Sequence, residues 1–156
     1  MNSVAENLVE LLKARGLVCA TAESCTGGGV GSAITGVPGS SAVFAGGVIS
    51  YSNEVKRDVL GVSAEALDQY GAVSPQVAEQ MADGVRRLLK TDLAVSLTGI
   101  AGPDGGSDEK PVGLVWFGLS TPAGTRTEKC LFRGDRAQVR AQAVVHALGM
   151  LMIGAT

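Results

Sequence analysis

The sequence contains little of what many catalytic and metal sites are built from: one histidine, three cysteines and 4% aromatic residues in 156 positions. The cysteines show no CxxC or Cys/His ligand spacing, so neither a zinc site nor a disulfide framework is predicted. The single histidine, His146, lies among apolar residues of a predicted helix, which favours a structural role and argues against Ser-His-Asp catalysis. We therefore expect a reduced, cytoplasmic protein without a metal or other cofactor.

Charge and long apolar runs are also scarce. Only 18% of the residues are charged and the formal net charge is −2, so no basic face is available for a polyanion. Nucleic acid is therefore not an expected partner. No apolar run reaches the roughly 18 residues of a membrane span, so no membrane association is predicted. Glu6 and Glu10 near the N-terminus argue against a signal peptide.

The sequence is rich in apolar residues, at 46%, and in glycine, with 22 copies. This content excludes disorder and supplies a core of ordinary size. Short apolar segments alternate with helical patterns, and two late segments, residues 112–120 and 125–132, are joined by a hairpin connection. We predict one domain over residues 1–156, with an α/β fold of three α/β/α layers and a mixed, mostly parallel sheet with one late hairpin.

Two predicted strands run into polar or glycine-rich turns. In residues 21–28 a buried strand ends at Ser24, whose hydroxyl would lie at the carboxyl end of the strand, where open α/β sheets bind ligands. The segment fits neither a dinucleotide fingerprint, nor a Walker A loop, nor a nucleophile elbow. Residues 96–103 repeat the layout with small residues that let a ligand approach the backbone. An ordinary turn, with Ser24 or Thr26 only capping a helix, is an equally good interpretation.

Two cations follow other predicted strands. Lys56 falls in the first turn of a predicted helix, where the positive end of the helix dipole and partial burial would lower its pKa. A lysine with a lowered pKa can act as a general base, although a solvated lysine is the plainer interpretation. The planar guanidinium of Arg133 suits a phosphate or carboxylate, although it can equally be a surface arginine.

Taken together, six motifs resemble the CinA C-terminal domain family. The similarity covers about residues 6–151 and rests on residues 22–28 (AESCTGG), 47–53 (GVISYSN) with Lys56, 71–74 (GAVS), 98–103 (TGIAGP), 110–113 (KPVG) and 132–134 (FRG). The resemblance implies a nicotinamide-nucleotide amidase, which hydrolyses the carboxamide of nicotinamide mononucleotide to nicotinic acid mononucleotide and ammonia. In longer family members a nucleotide-pyrophosphatase-like domain precedes this one, so the similarity is to the stand-alone deamidases.

The resemblance also implies the site. The family's serine, lysine and tyrosine match Ser24, Lys56 and Tyr51. A weak hydroxyl needs an adjacent base to attack an amide, so Lys56 would take the Ser24 proton and Tyr51 would orient the lysine or relay the proton. Backbone N–H groups of the glycine-rich turns could stabilise the oxyanion. The residues expected to bind the substrate are Thr26, Gly27, Gly28, Ser41, Thr98, Gly99, Ala101, Gly102 and Arg133.

Two alternatives stay open. One is a non-catalytic nucleotide-binding or regulatory domain of the competence- and damage-inducible type, against which the co-occurrence of Ser24, Tyr51 and Lys56 argues. The other is a hydrolase that uses Cys25, whose pKa would fall near a helix N-terminus, although no histidine lies nearby in sequence. We also predict a homo-oligomer, since the apolar end of the last helix, residues 150–153, could form an interface or close the core.

Overall fold

The computed structural model describes residues 2–156, in which helices and strands alternate as far as the third helix, after which two further helices, three strands and a last helix follow. The strands are β1 (Cys19–Glu23), β2 (Phe44–Ile49), β3 (Leu93–Gly99), β4 (Leu114–Thr121) and β5 (Gly124–Leu131). The helices are α1 (Val4–Arg15), α2 (Gly29–Thr35), α3 (Asn53–Asp58), α4 (Ala64–Tyr70), α5 (Pro75–Leu89) and α6 (Arg136–Ala155). No helix of this described part is both long enough and apolar enough to span a bilayer.

The strands form one sheet in the order β2-β1-β3-β4-β5. Strand β1 is parallel to β2 and β3, whereas β4 is antiparallel to β3 and β5. The mixed, mostly parallel sheet and its late β4–β5 hairpin are therefore confirmed. The β1–β2 ladder is irregular where Cys19 pairs with Phe44 and Ala20 with Gly46, which leaves Ala45 as the extra residue of a bulge.

Helices cover both faces of the sheet, which confirms the three layers. Helices α1, α2 and α6 enclose one core with Val95, Leu97 and Phe117, while α4 and α5 enclose a second core with small residues of β1. Close packing of α5 requires a glycine on β4, because a Cβ at Gly118 would lie 2.5 Å from the Ala78 carbonyl oxygen. A larger side chain at this position would push the helix off the sheet.

The ends of the helices follow their sequence signals. Ser3 and Glu6 form the predicted capping box of α1, and Gly16 ends that helix at a φ of 67°. Ser74 caps α5, with Pro75 in its first turn. At the end of α6, Met150 and Leu151 are buried in the core, so this helix closes the core; Ile153 is exposed.

The topology gathers several loops at one edge of the sheet. Strands β1, β2 and β3 end at this edge, and β5 also ends there because β4 alone runs in the opposite direction. The loops after these strands, residues 24–28, 50–52, 100–113 and 132–135, therefore lie at a common edge, which we call the carboxyl edge.

Candidate active site

Ser24 and Lys56 meet at the carboxyl edge although 32 residues separate them. Ser24 follows the last residue of β1, and its N–H donates to the Leu97 carbonyl of β3 at 3.1 Å. Lys56 extends from α3, and its Nζ lies 3.2 Å from the Ser24 Oγ. The predicted pairing of a strand-end hydroxyl with this lysine is thus present in the geometry.

The Lys56 side chain is buried, with 1% exposure. Its Nζ donates to the carbonyl oxygens of Ser50, at 2.8 Å, and Tyr51, at 3.2 Å. No carboxylate among residues 2–156 forms an ion pair with it. Burial therefore lowers the pKa of Lys56 below its ordinary value. The helix-dipole argument is wrong, because Lys56 lies in the last turn of a six-residue helix.

A cavity of about 300 Å³ opens beside the pair. The residues that line it come from the loops after β1, β2 and β3, from the end of β3, from α3, from the segment between α4 and α5, and from α6: Ser24, Cys25, Tyr51, Asn53, Lys56, Ala72, Val73, Thr98, Gly99, Ala101 and Arg136. Of the predicted substrate-binding residues, Thr98, Gly99 and Ala101 line it directly. Gly99 tolerates no side chain, because a Cβ there would lie 2.8 Å from the Leu114 carbonyl oxygen.

Tyr51 contacts the lysine through its backbone, as described above, and its side chain is 64% exposed at the mouth of the cavity. Its hydroxyl forms no hydrogen bond with any residue in the range 2–156. The expected orientation of Lys56 by Tyr51 therefore comes from a carbonyl oxygen, and the proton relay through the phenol stays a prediction.

Thr26, Gly27 and Gly28 form the turn behind Ser24 and do not line the cavity. The Thr26 Oγ1 donates to the Glu23 carboxylate at 2.6 Å, and both glycines have positive φ angles, 60° and 102°. Over residues 2–156, the N–H groups of Cys25 and Thr26 have no hydrogen-bond partner in another residue. These two N–H groups are therefore not bonded to another residue, although the Cys25 N–H contacts its own thiol.

Besides Thr26, Gly27 and Gly28, three predicted binding residues do not line the cavity: Ser41, Gly102 and Arg133. Ser41 lies in a short 3-10 turn before β2, at the opposite edge of the sheet, so the fold does not bring it to this cavity. Arg133 is exposed and absent from the lining; Arg136, three residues later, lines the cavity and donates to the Gly102 carbonyl at 2.8 Å. Its place as first residue of a capped helix that follows a strand is the signal that could have identified it.

Cys25 also lines the cavity, but its environment does not favour a thiolate. Burial raises the pKa of this thiol to about 11. The predicted lowering is therefore wrong, since desolvation outweighs any helix-terminus effect and α2 begins only at Gly29. A thiol with this pKa is protonated at neutral pH and is a poor nucleophile.

Other features of residues 2–156 lie outside this site. No three His, Cys, Asp or Glu side chains in that range are grouped so that they could hold a metal ion. His146 bonds through Nε2 to the Glu128 carboxylate at 2.6 Å, in agreement with its predicted structural role. A larger cavity of about 550 Å³ lies on the α5 side of β4 and β5, lined in part by Trp116 and Lys129, and contains neither Ser24 nor Lys56.

The fold and the site define an α/β protein with a serine and a buried lysine at the carboxyl edge of a mixed sheet. The family model of the CinA C-terminal domain matches residues 1–153. The chain therefore belongs to the CinA C-terminal domain family, as the six motifs predicted.

Relatives with and without additional sequence match the chain. Nicotinamide-nucleotide amidohydrolase PncC of Escherichia coli K12 is 51% identical over 149 residues, which are 95% of this chain and 90% of that protein. A CinA-like protein of Acaryochloris marina is 57% identical over 144 residues, 91% of this chain but 34% of that protein. The chain thus spans about a third of the length of this longer relative.

Solved structures of relatives have the same fold. The competence/damage inducible protein of Agrobacterium tumefaciens superposes with a TM-score of 0.93 at 41% identity, covering 100% of this chain and 98% of that one. A CinA superfamily protein of Klebsiella pneumoniae gives a TM-score of 0.93 at 38% identity, covering 97% and 95%.

Proposed function

We propose that this chain is an amidohydrolase that converts nicotinamide mononucleotide to nicotinic acid mononucleotide and ammonia, with Ser24 as nucleophile and Lys56 as general base. The observation that carries the proposal is the contact between the Ser24 Oγ and the Nζ of a buried lysine without a counterion. The substrate class rests on the similarity to a relative named nicotinamide-nucleotide amidohydrolase over 90% of that relative's length.

The surroundings of Lys56 suit a neutral amine. A neutral amine has two N–H donors and one lone pair. The carbonyl oxygens of Ser50 and Tyr51 can take the two N–H groups, which leaves the lone pair directed at the Ser24 hydroxyl. In this arrangement the Ser24 O–H donates to Nζ, which is the geometry a general base needs before it accepts a proton.

The reaction then follows acyl transfer. The Ser24 Oγ attacks the carboxamide carbon while its proton passes to Lys56, and the carbonyl oxygen becomes an oxyanion. The N–H groups of Cys25 and Thr26, which follow Ser24 in the chain and bond to no other residue, are our candidates for the oxyanion donors. As this intermediate collapses, the C–N bond breaks and the leaving NH2 group takes the proton from protonated Lys56 and departs as ammonia. Water, deprotonated by the same lysine, then hydrolyses the ester and releases the carboxylate.

The charged ends of the substrate have complementary surroundings. The pyridinium ring is cationic, so its approach disfavours the protonated form of Lys56. The exposed Tyr51 ring at the mouth offers an aromatic face to that cation. Arg136, which lines the same cavity, is our candidate for the phosphate, since a guanidinium matches phosphate geometry.

The test is ammonia release from nicotinamide mononucleotide by the purified chain in the presence of EDTA. We expect turnover by the unchanged chain, a loss of most activity in Ser24→Ala, and activity within about tenfold in Cys25→Ala, which corresponds to about 1.4 kcal/mol of barrier. Binding of the nucleotide without turnover would instead support the regulatory alternative. A greater loss in Cys25→Ala than in Ser24→Ala would move the chemistry to the thiol.

A further inference from the structure

The turn that carries Ser24 contains two consecutive glycines with positive φ, Gly27 and Gly28, and so has little conformational restriction of its own. A nucleophile must nevertheless be held to within a fraction of an ångström of its base. Backbone hydrogen bonds from the Gly27 N–H to the Ser24 carbonyl and from the Gly29 N–H to the Thr26 carbonyl, both at 3.1 Å, close the turn, and side chains outside it add further restriction. Two charged residues, Glu23 and Arg140, supply it from opposite sides.

Glu23 holds the donors of the turn and of the helix behind it. Its side chain is 2% exposed. The Oε1 accepts hydrogen bonds from the Thr26 Oγ1 at 2.6 Å and the Val30 N–H at 2.8 Å, and the Oε2 accepts from the Gly31 N–H at 3.0 Å. Three donors compensate the buried carboxylate and fix the turn against the start of α2.

The backbone of Glu23 connects the same residue to the base. Its carbonyl oxygen accepts from the Ser50 N–H at 2.7 Å and from the Ser50 Oγ at 3.3 Å. The Ser50 carbonyl in turn accepts from the Lys56 Nζ at 2.8 Å. Glu23 is thus bonded to the segment that carries the nucleophile and to the segment that holds the base.

Arg140 holds the acceptors of the turn. It lies on α6, and its Nε donates to the Cys25 carbonyl at 3.1 Å while its Nη2 donates to the Thr26 carbonyl at 3.2 Å. Arg140 and Glu23 form no ion pair with each other. Both charges are directed at the backbone and side chain of the turn, which orients the N–H groups of Cys25 and Thr26 as well as the serine.

We propose that Glu23 and Arg140 are positioning residues that set the Ser24 hydroxyl against Lys56 and contact no part of the substrate. The proposal rests on the proposed serine–lysine mechanism. In Glu23→Gln one carboxylate oxygen becomes an NH2 group, which faces an N–H donor of α2, so the turn shifts while the volume is kept. In Arg140→Met both bonds to the carbonyls of the turn are lost from an exposed helical position.

The experiment measures two rates for each variant. One is kcat and KM for nicotinamide mononucleotide. The other is the rate at which methanesulfonyl fluoride modifies Ser24, a reaction in which Oγ bonds to sulfur, fluoride leaves and the proton passes to Lys56. We expect both variants to lower kcat and the modification rate by about 10- to 100-fold. KM should stay within about twofold and the pH profile should keep its shape, because substrate contacts and the base are unchanged.

Asp83→Asn is the matched control. The Asp83 carboxylate also accepts from two hydroxyls, those of Ser120 at 2.8 Å and Thr125, but at the β4–β5 hairpin. We expect the Asp83→Asn substitution to lower the melting temperature without lowering kcat. Unchanged kcat and modification rates in Arg140→Met, a rise in KM alone, or an equal kcat loss in Asp83→Asn would each overturn the positioning role.

The two proposals fail separately. If the unchanged chain releases no ammonia but its Ser24 reacts faster with the sulfonyl fluoride than in the two variants, the proposed function is wrong and the positioning role stands. If ammonia is released at the same kcat by all the variants, the positioning role is wrong and the proposed function stands.

Discussion

Two regions of the molecule place a hydroxyl or thiol beside a nitrogen base. At the carboxyl edge the Ser24 Oγ lies 3.2 Å from the Lys56 Nζ. Between β5 and α6, Cys130 lies beside His146, whose Nε2 is 2.6 Å from a Glu128 oxygen. The second region contains the residue types of a catalytic triad, whereas the first contains a serine and a lysine.

Residue types alone would favour His146 over Lys56 as a catalytic base, but the geometry favours Lys56. The Cys130 Sγ is 3.7 Å from Nδ1 and 3.6 Å from Nε2 of His146, so it faces the ring rather than one nitrogen lone pair. Burial and the Glu128 charge both raise the pKa of Cys130. The Lys56 Nζ pairs with no carboxylate among residues 2–156 and contacts two carbonyl oxygens and the Ser24 hydroxyl. Our proposed base is therefore the buried nitrogen that pairs with no carboxylate, and not the histidine whose residue type is usual in a catalytic triad.

The largest effect should come from the base itself. We expect Lys56→Arg to lower kcat/KM by about a hundredfold to ten-thousandfold, because arginine keeps its charge and does not accept the Ser24 proton. The rate of ammonia release at several substrate concentrations gives kcat/KM for the variant and for the unchanged chain. Lys129→Met is the control, because Lys129 lines the other cavity, where its Nζ lies 5.7 Å from the Trp116 ring centre. Its loss should leave kcat/KM unchanged. A Lys56→Arg enzyme with more than about a tenth of the activity would transfer the base role to another group or to water.

The second largest effect is the pH dependence of kcat/KM, which should show whether the base lies in the Ser24 region or in the Cys130 region. Lys56 must be neutral to act, and burial lowers its pKa, so kcat/KM should rise about tenfold per pH unit and level off below the pKa of free lysine, about 10.4. His146→Ala should show the same profile. A rise that disappears in His146→Ala would place the base in the region of Cys130. Cys25 does not titrate in this range, since its pKa is raised to about 11.

Substrate recognition provides a third contrast, because only the Ser24 region has an arginine at its cavity. We expect Arg136→Ala to raise KM for nicotinamide mononucleotide by about tenfold or more, the worth of a charge-assisted hydrogen bond, and to affect the riboside without phosphate less. Arg133→Ala, on an exposed side chain outside the lining, should change KM by less than about twofold. Equal effects on both substrates would show that Arg136 does not contact the phosphate.

The smallest effect is expected from the region with triad-like residues. Cys130→Ala and His146→Ala should leave kcat/KM within about threefold, since neither residue lines the Ser24 cavity. His146→Ala should lower the melting temperature, because it removes the bond to Glu128 and the contact with the Phe117 ring, whose centroid is 4.4 Å away. Loss of turnover in a variant that stays folded would contradict the assignment of the active site.

The sequence predicted the elements well because their signals are local. The late hairpin was predicted from residues within a few positions of one another, and the caps of α1 and α5 depend on equally short spacings. The position of Ser24 followed from a general property of open α/β sheets, in which ligands bind at the carboxyl ends of strands.

What could not be predicted depends on where separate elements meet. Lys56 was assigned to the first turn of a longer helix, and its burial depends on α3 packing over the end of β1. Arg133 was chosen instead of Arg136, and the two are separated by less than one helical turn. The residue at which α6 begins decides which of the two guanidinium groups faces the cavity. Ser41 precedes β2, and only the parallel pairing of β2 with β1 shows that this end of the strand lies at the edge opposite to Ser24.

The sole tryptophan of the chain lies in the β3–β4 ladder and can serve as a fluorescent probe there. Trp116 is the direct cross-strand partner of Thr98, which lines the Ser24 cavity. Trp116 therefore lies one strand away from the place where a pyridinium would bind, and its indole faces the larger cavity. Intrinsic fluorescence, excited without interference from any second indole, can thus follow nucleotide binding to an inactive Ser24→Ala chain at equilibrium, with no label attached.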